Sequence, residues 1–466
     1  MTHSERMVDF ALSLSQNSIP SDVFTLARLH TLDALGVGIA ASGGQVQQQM
    51  AHSLLKAQGQ GLCSVLGHSV GTHSANAALL NGSFIHALEY DDTHMASIVH
   101  GSAVIVPAAL AAAEQNQLSL GELIRLITIG WEVLVRVGLA APGAFQRRGF
   151  QVTSVGGALV SALLAGLAAS ASRSQLISAQ GIAGSQASGI FEFLSEGATV
   201  KAMHPGWAAH AGSLAATLAM AGMTGPSTVY EGRFGLYNTY TDDADAASSL
   251  GHALDNLGQA WLLRDAAFKL FPCCHYIHPF LEAVQQLKLQ KLSLQNIQSI
   301  ECKVPQGAAA IICEPWSRKQ TPTILNEAKY SLPYCMALAF LDIPITAQHF
   351  LSDTVNADAV DFAQRITWSP MLDADFPAKF QAEIFVQDKD GQTSSIRIEQ
   401  VKGSADRPAS NAELEDKFRT NTAARFSTAT QNAVIDLMLQ GANDMPVAKL
   451  SELLASRKRL CSLSCQ

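Results

Sequence analysis

From Val152 to Ile190 the chain carries a single charged side chain, Arg173. A tract of that length can span a bilayer. Yet Gly, Ala, Ser and Gln fill much of it, and the run "GSQASG" is poorly suited to hydrocarbon. The reading that fits better is a pair of wholly buried helices whose small side chains let backbones approach closely. Helices buried on every side need a large core around them. With 466 residues and 48% hydrophobic content the chain can build one, and its length predicts two domains, one interrupted by the other.

The rest of the first half supports a bundle. "IPSDVFTLARLHTLDALGVGIAAS" opens on a Pro-Ser-Asp start signal and brings Phe24, Leu32, Leu35 and Ile39 near helical spacing. "LGELIRLITIGWEVLVRVGLAA" repeats the pattern with Ile124, Ile127, Trp131 and Leu134 on one side, and "AAHAGSLAATLAMAGMTGP" is again rich in small residues. Near residue 270 the texture changes. "IQSIECKVP" alternates as a half-buried strand does, "RITWS" is short and strand-like, and "FQAEIFVQDKDGQTSSIRIEQV" reads as a hairpin around "DKDGQ". "EAKYSLPYCMALAFL" reads as a helix between them. After "GSADRPAS" the helical pattern returns. The expected fold is mainly α: a large all-helical domain over 1–270, completed by 406–466, plus a smaller α+β lid domain over 271–405.

Net charge is −8, with no run of Lys or Arg, which argues against nucleic acid as a partner. The cysteines at 63, 273, 274, 302, 313, 335, 461 and 465 form no CxxC pair, so no metal site is expected from them. The opening "MTHSERMVDF" lacks a signal-peptide pattern, and reduced thiols in a cytoplasmic setting, without membrane attachment, are expected.

Against this apolar background, "EYDDTHMASIVHGSAV" concentrates Glu89, Asp91, Asp92, His94 and His100 in a chain that is only 15% charged. Acids and imidazoles at a helix end can supply a base, an acid and their orienting partners. The competing reading is a polar cap with solvated charges. Its apolar flanks favour a cleft edge. In "EGATVKAMHPGWAAHAG", Lys201, His204 and His210 precede a small-residue helix. Lys201 can hold a carboxylate or exchange a proton there, or simply snorkel to water. "FKLFPCCHYIHPFLEAV" sets Lys269, His275 and His278 where the texture changes, a common place for a small-molecule site; an exposed basic turn is the alternative. Arg147 and Arg148 in "GAFQRRGFQVTSVGG" can clamp carboxylates with forked donors or lie in a solvated loop. No GxGxxG, P-loop or HExxH occurs.

In this order, and with "LHTLDALGVGIAAS", "GIAGSQASGIFEF", "AGMTGPSTVYEGRFGLY" and "GSADRPASNAELEDKF", these stretches resemble the MmgE/PrpD family across most of the chain. That family contains 2-methylcitrate dehydratases, cis-aconitate decarboxylases and an iminodisuccinate epimerase. The resemblance implies a helical domain made from both chain ends, an α+β lid, action on a small polycarboxylate without metal or organic cofactor, and a homodimer. It assigns site roles to Asp91, Asp92 and Thr93 ("DDT"), to His100, to Lys201 with His204, to Lys269 and His278, and to Tyr330 or Tyr334, with Tyr334 preferred. One position departs. Where many members have "GFH.T" this chain has "GFQVT", so that Gln151 stands in place of a site histidine.

A glutamine hydrogen-bonds but exchanges no proton at neutral pH. Dehydration and decarboxylation need an acid beyond the base that handles the carbon. Epimerisation expels nothing and needs only conjugate groups on opposite faces. The sequence therefore favours a cofactor-independent epimerase acting beside a carboxylate of an iminodisuccinate-like substrate. His100 and Lys201 are its expected proton-transfer pair, Asp91 or Asp92 orients His100, and Thr93, Arg147, Arg148, Gln151, His204, Lys269, His278 and Tyr334 hold the substrate. The alternatives are a 2-methylcitrate dehydratase or cis-aconitate decarboxylase, and a non-catalytic polycarboxylate-binding protein.

Overall fold

The low-charge tract folds as two helices broken at Ala169–Ser172, where Ser172 caps the second one through the Gln175 backbone N–H. The structure is a computed structural model that describes residues 1–290, 294–352, 354–376 and 378–455. Helices make up 57% of it, which places it in the mainly α class. The chain divides into two compact units. One comprises Met1–Ala87, Asp91–Arg264 and the segment from Asn411 onward; the other comprises Leu88–Tyr90 and Asp265–Ser410.

The helices of the first unit that matter for the site are α1 (Ser21–Ala41), α2 (Ser74–His86), α3 (Gly101–Gln115), α4 (Leu120–Leu139), α5 (Val152–Ala168), α6 (Arg173–Gly184), α7 (Met203–Met220) and α8 (Asn411–Thr422). Helix α7 packs on α2, α3, α5 and α6, and α1 packs on α8. Along α2, α3 and α5 nearly every residue is buried, as helices apolar on all sides require. Helix α1 is also long and apolar enough to cross a membrane. It carries Arg28, His30 and Asp33, all buried, and Arg28 donates to the Met438 carbonyl at 2.7 Å, so its polar groups are met by protein.

Where α2 meets α7 the backbones touch. A β-carbon on Gly82 would lie 2.6 Å from Gly206 Cα, and one on Gly206 would lie 2.2 Å from the Leu79 carbonyl oxygen. Only glycine at both positions permits this approach.

The second unit is built on a sheet of β1 (Ile297–Pro305), β2 (Ile366–Met371), β3 (Ala382–Asp388) and β4 (Thr393–Ile398), in spatial order β2-β1-β3-β4. β1 runs parallel to β2 and antiparallel to β3, with Ile300 beside both Ile366 and Val386. β3 and β4 form the hairpin read from the sequence, and Gly391, at φ +82°, supplies its left-handed turn residue. Alternation buries Ile300, Cys302 and Val304 on one face of β1, and helix His278–Leu289 packs against β3 and β4. Cys63, Cys273, Cys274, Cys302, Cys313 and Cys335 are buried free thiols; Cys461 and Cys465 lie outside the described residues.

Gly206→Ala should destabilise the protein by about 2 kcal/mol or more, the cost of forcing a methyl into a closed contact, measured as a lower urea midpoint. A midpoint unchanged within error would show that the α2–α7 contact has slack.

Candidate active site

Asp91 and His100 of "EYDDTHMASIVHGSAV" meet His86, Gln151 and His204 at one end of the bundle. His86 is the last residue of α2, His100 is the N-cap of α3, Gln151 is the N-cap of α5, and His204 lies in the first turn of α7. Side-chain and backbone bonds fix these helix ends to each other. The His100 backbone N–H donates to Thr153 Oγ1 at 3.0 Å, and Ser154 Oγ donates to the His204 carbonyl at 2.9 Å. Just before His100, Ile98 sits at φ +56°, a conformation that a β-branched residue adopts at a cost. The strained turn from His94 to Val99, closed by the His94–Val99 backbone pair at 2.8 and 3.3 Å, thus aims His100.

At the centre lies Asp91, fully buried. Its Oδ2 is 2.8 Å from His86 Nδ1 and 3.2 Å from His100 Nδ1, and the two rings meet edge to face at 4.8 Å. Gln151 continues the chain, with Nε2 3.1 Å from His86 Nε2 and Oε1 2.8 Å from His204 Nδ1. These contacts assign the protons. An amide N–H can only donate, so His86 Nε2 accepts, and its proton sits on Nδ1, donated to Asp91. His204 Nδ1 donates to the Gln151 oxygen. His100 Nδ1 stands at ion-pair distance from the same Asp91 oxygen, 3.2 Å. Its side chain is 15% exposed, whereas those of His86 and Asp91 are closed to solvent.

The electrostatics separate these groups. Burial pushes the Asp91 carboxyl up, but the charges and hydrogen bonds of His86 and His100 outweigh it and hold it well below the usual carboxylate range. Burial, aided by His86 and Lys201, lowers His204 to about 4, and burial lowers His94 to about 4. At neutral pH the cluster therefore pairs an ionised carboxylate with an imidazole, His204, that stays neutral. The donor atoms of His86, Asp91 and His100 lie within 4.8 Å of one another, so they form a group that could hold a metal ion. An ion there would have to displace the protons that now bridge them.

The sequence left open whether Asp91 or Asp92 orients His100. Asp91 makes the contact. Asp92 turns the other way, accepting from His30 Nδ1 at 2.6 Å and from the Ser102 backbone N–H at 3.0 Å. Thr93 is buried, and its hydroxyl has no hydrogen-bond partner among the described residues. Lys201 sits in the turn Thr199–Ala202, half-buried, close enough to act on His204 electrostatically. The geometry does not draw Arg147 and Arg148 into the cluster. Both are exposed, and Arg147 pairs with Asp242 at 3.1 Å, because solvent and a surface carboxylate already satisfy the guanidinium.

In the second unit, Lys269 is buried and donates to the Glu89 carbonyl at 3.1 Å, with the Glu89 carboxylate at 3.8 Å. His278 opens helix His278–Leu289, with Nε2 3.3 Å from the Cys273 carbonyl. Tyr334 is buried, its hydroxyl 3.0 Å from His349 Nε2 and accepting from the Asn356 N–H at 3.1 Å. The sequence reading missed His86 and His30. His86 had a signal, an imidazole in the last turn of a small-residue helix just ahead of Asp91. His30 had none beyond its place in an apolar helix.

One unit is helical with a buried carboxylate–imidazole cluster at its helix ends, and the other is a smaller α+β unit. Residues 5–249 match the MmgE/PrpD N-terminal domain and residues 271–440 match the MmgE/PrpD C-terminal domain. The chain belongs to the MmgE/PrpD family. It is 26% identical over 472 residues to the cis-aconitate decarboxylase-like protein oryM of Aspergillus oryzae, covering 96% of each chain. It is 26% identical over 467 residues to the cis-aconitate decarboxylase of Aspergillus terreus, covering 96% of this chain and 94% of that one. It is 28% identical over 385 residues to the human cis-aconitate decarboxylase, covering 78% of this chain and 75% of that one.

His94 and His204 have folded-state values near 4, below the unfolded value of about 6.5, so their neutral forms add stability that is complete above about pH 6.5 and is lost toward pH 4. Wild type should lose urea resistance across that window, and His204→Gln should lose less. Equal slopes for the two proteins would contradict the burial of a neutral His204.

Proposed function

We propose that this chain is a lyase acting on a small polycarboxylate, of the cis-aconitate decarboxylase type, and that its own side chains handle the proton. The observation that carries the reading is the Asp91–His100 pair: a fully buried carboxylate 3.2 Å from Nδ1 of an imidazole whose side chain is 15% exposed. The names of the relatives at 26% identity favour a lyase over the epimerase expected from the sequence.

Decarboxylation breaks the bond between carbon and a carboxylate and leaves the electron pair on carbon. That carbanion must be stabilised and then protonated. His100, as imidazolium stabilised by Asp91, is suited to deliver the proton from Nε2, and a positioned acid of this kind contributes about 10²–10⁴ in rate. His86 gives Asp91 a second donor and keeps it ionised beside His100. The amino ends of α3, α5 and α7 gather at the cluster and favour the substrate's remaining carboxylates. Lys201 adds a cation on the His204 side. His204, with its proton committed to Gln151, offers only an acceptor at Nε2.

Gln151 supports a second reading. It exchanges no proton, so it breaks the relay between His86 and His204, and a reaction that needs little more than a base and its conjugate acid is less affected by that break. That description fits an epimerase of an imino-linked dicarboxylate.

Incubation in D₂O with cis-aconitate, 2-methylcitrate and single stereoisomers of iminodisuccinate, followed by proton NMR, separates these. We expect CO₂ release from cis-aconitate with one deuteron at the new C–H, and a loss of about 10²–10⁴ in kcat for His100→Asn. Deuterium entering the alpha position without loss of carbon would instead identify the epimerase. Binding without turnover of any of them would overturn both readings.

A further inference from the structure

Asp92 does more than fill space behind Asp91. Its Oδ1 accepts from the Ser102 backbone N–H at 3.0 Å, and its Oδ2 accepts from Ser102 Oγ at 2.5 Å and His30 Nδ1 at 2.6 Å. Ser102 lies in the first turn of α3, and the N-cap of that helix, His100, provides no capping side chain. Asp92 therefore caps α3 in place of His100, and a carboxylate suits that end of a helix.

The carboxylate is in turn held by His30, buried in the middle of α1. The other side of the His30 ring leans on Trp131 of α4, with centroids 5.3 Å apart. The Trp131 indole lies against Gly101, where a β-carbon would come within 2.4 Å of it. The residue after His100 is thus pressed by an indole, and the helix that begins there is tied to Asp92, with His30 contacting both supports. One turn along α1, Asp33 forms an ion pair with Lys417 of α8 at 2.7 Å, both buried. Burial lowers the Lys417 ammonium, while Asp33, Asp92 and Asp91 favour its charge.

We propose that His30 is a positioning residue: through Asp92 it sets the angle at which Asp91 meets His100. The proposal rests on His100 as the proton-transfer group. Asp91 and Asp92 share a peptide unit, so a carboxylate that swings on one side displaces its neighbour on the other. The contact most exposed to such a shift is the ion pair of His100 Nδ1 with Asp91 Oδ2, at 3.2 Å, against the 2.8 Å hydrogen bond of His86. Without His30, the hydroxyl of Ser102 is the donor left to Asp92 Oδ2 among the described residues, and the carboxylate turns toward it.

The test compares His30→Leu with His30→Asn, whose amide N–H can stand near the place of Nδ1 and still donate to Asp92. His30→Leu should lower kcat by about tenfold to a hundredfold, the scale set by a misplacement of about 1 Å, with KM within about threefold. In protein labelled with ¹⁵N-histidine, the Nδ1 resonance of His100 should shift as its 3.2 Å contact with Asp91 changes. His30→Asn should restore most of both. The NMR reading needs no substrate, so it decides the positioning even if the lyase assay fails. If His30→Leu does not fold, Ser102→Ala removes one donor from the same oxygen and should give a smaller change in the same direction. An unaltered His100 resonance and unaltered kcat in the folded variant, or equal losses in the Leu and Asn variants, would overturn the proposal.

Discussion

Two adjacent carboxylates closed off from water are the constraint from which the rest of the site follows. Two neighbouring buried carboxyl groups each need their own hydrogen-bond donors. Successive side chains point apart, so the donors must come from opposite directions. Asp91 takes imidazoles from the end of α2 and the start of α3; Asp92 takes an imidazole from α1 and the first turn of α3. Lys417 arrives from the far end of the chain to balance a third buried acid, Asp33. The closing segment of the sequence is in the helical unit partly because those charges need it there.

The same burial sorts the histidines by task. His100 has a partly exposed side chain with the Asp91 carboxylate 3.2 Å from its Nδ1. His204 is driven to the neutral form and tied through Nδ1. Groups whose surroundings drive their protonation apart can take different roles at one pH. Gln151 stands between the two halves of the relay. It passes orientation from His204 to His86, since its amide fixes which nitrogen of each ring carries hydrogen, but it passes no proton.

Much of this is legible in the sequence. The small-residue helices, the hairpin at "DKDGQ" and the acid–imidazole run at Glu89–His100 follow from periodicity and local composition, which act between near neighbours. His86 was one residue of pattern away from notice. His30 was not, because an imidazole on an apolar helix face reads as core until its partner, Asp92, is placed beside it. Lys417 lies in "NAELEDKFRTNTAARF", a stretch whose charges read as a solvated surface. Arg147 and Arg148 erred the other way: a forked donor near the motif suggested a clamp, and local geometry turned both outward. Long-range pairing decides burial of charge, and composition near a residue carries little of it.

The seam between α2 and α7 has a thermal consequence. Gly82 and Gly206 bring main chain against main chain, and contact there comes from dispersion between closely fitted atoms rather than from large apolar side chains leaving water. Heat capacity of unfolding scales with apolar surface newly exposed, and polar surface counts against it. A core stitched by such seams contributes less to that heat capacity than one filled with leucine and phenylalanine, so the stability it provides changes more slowly on warming or cooling.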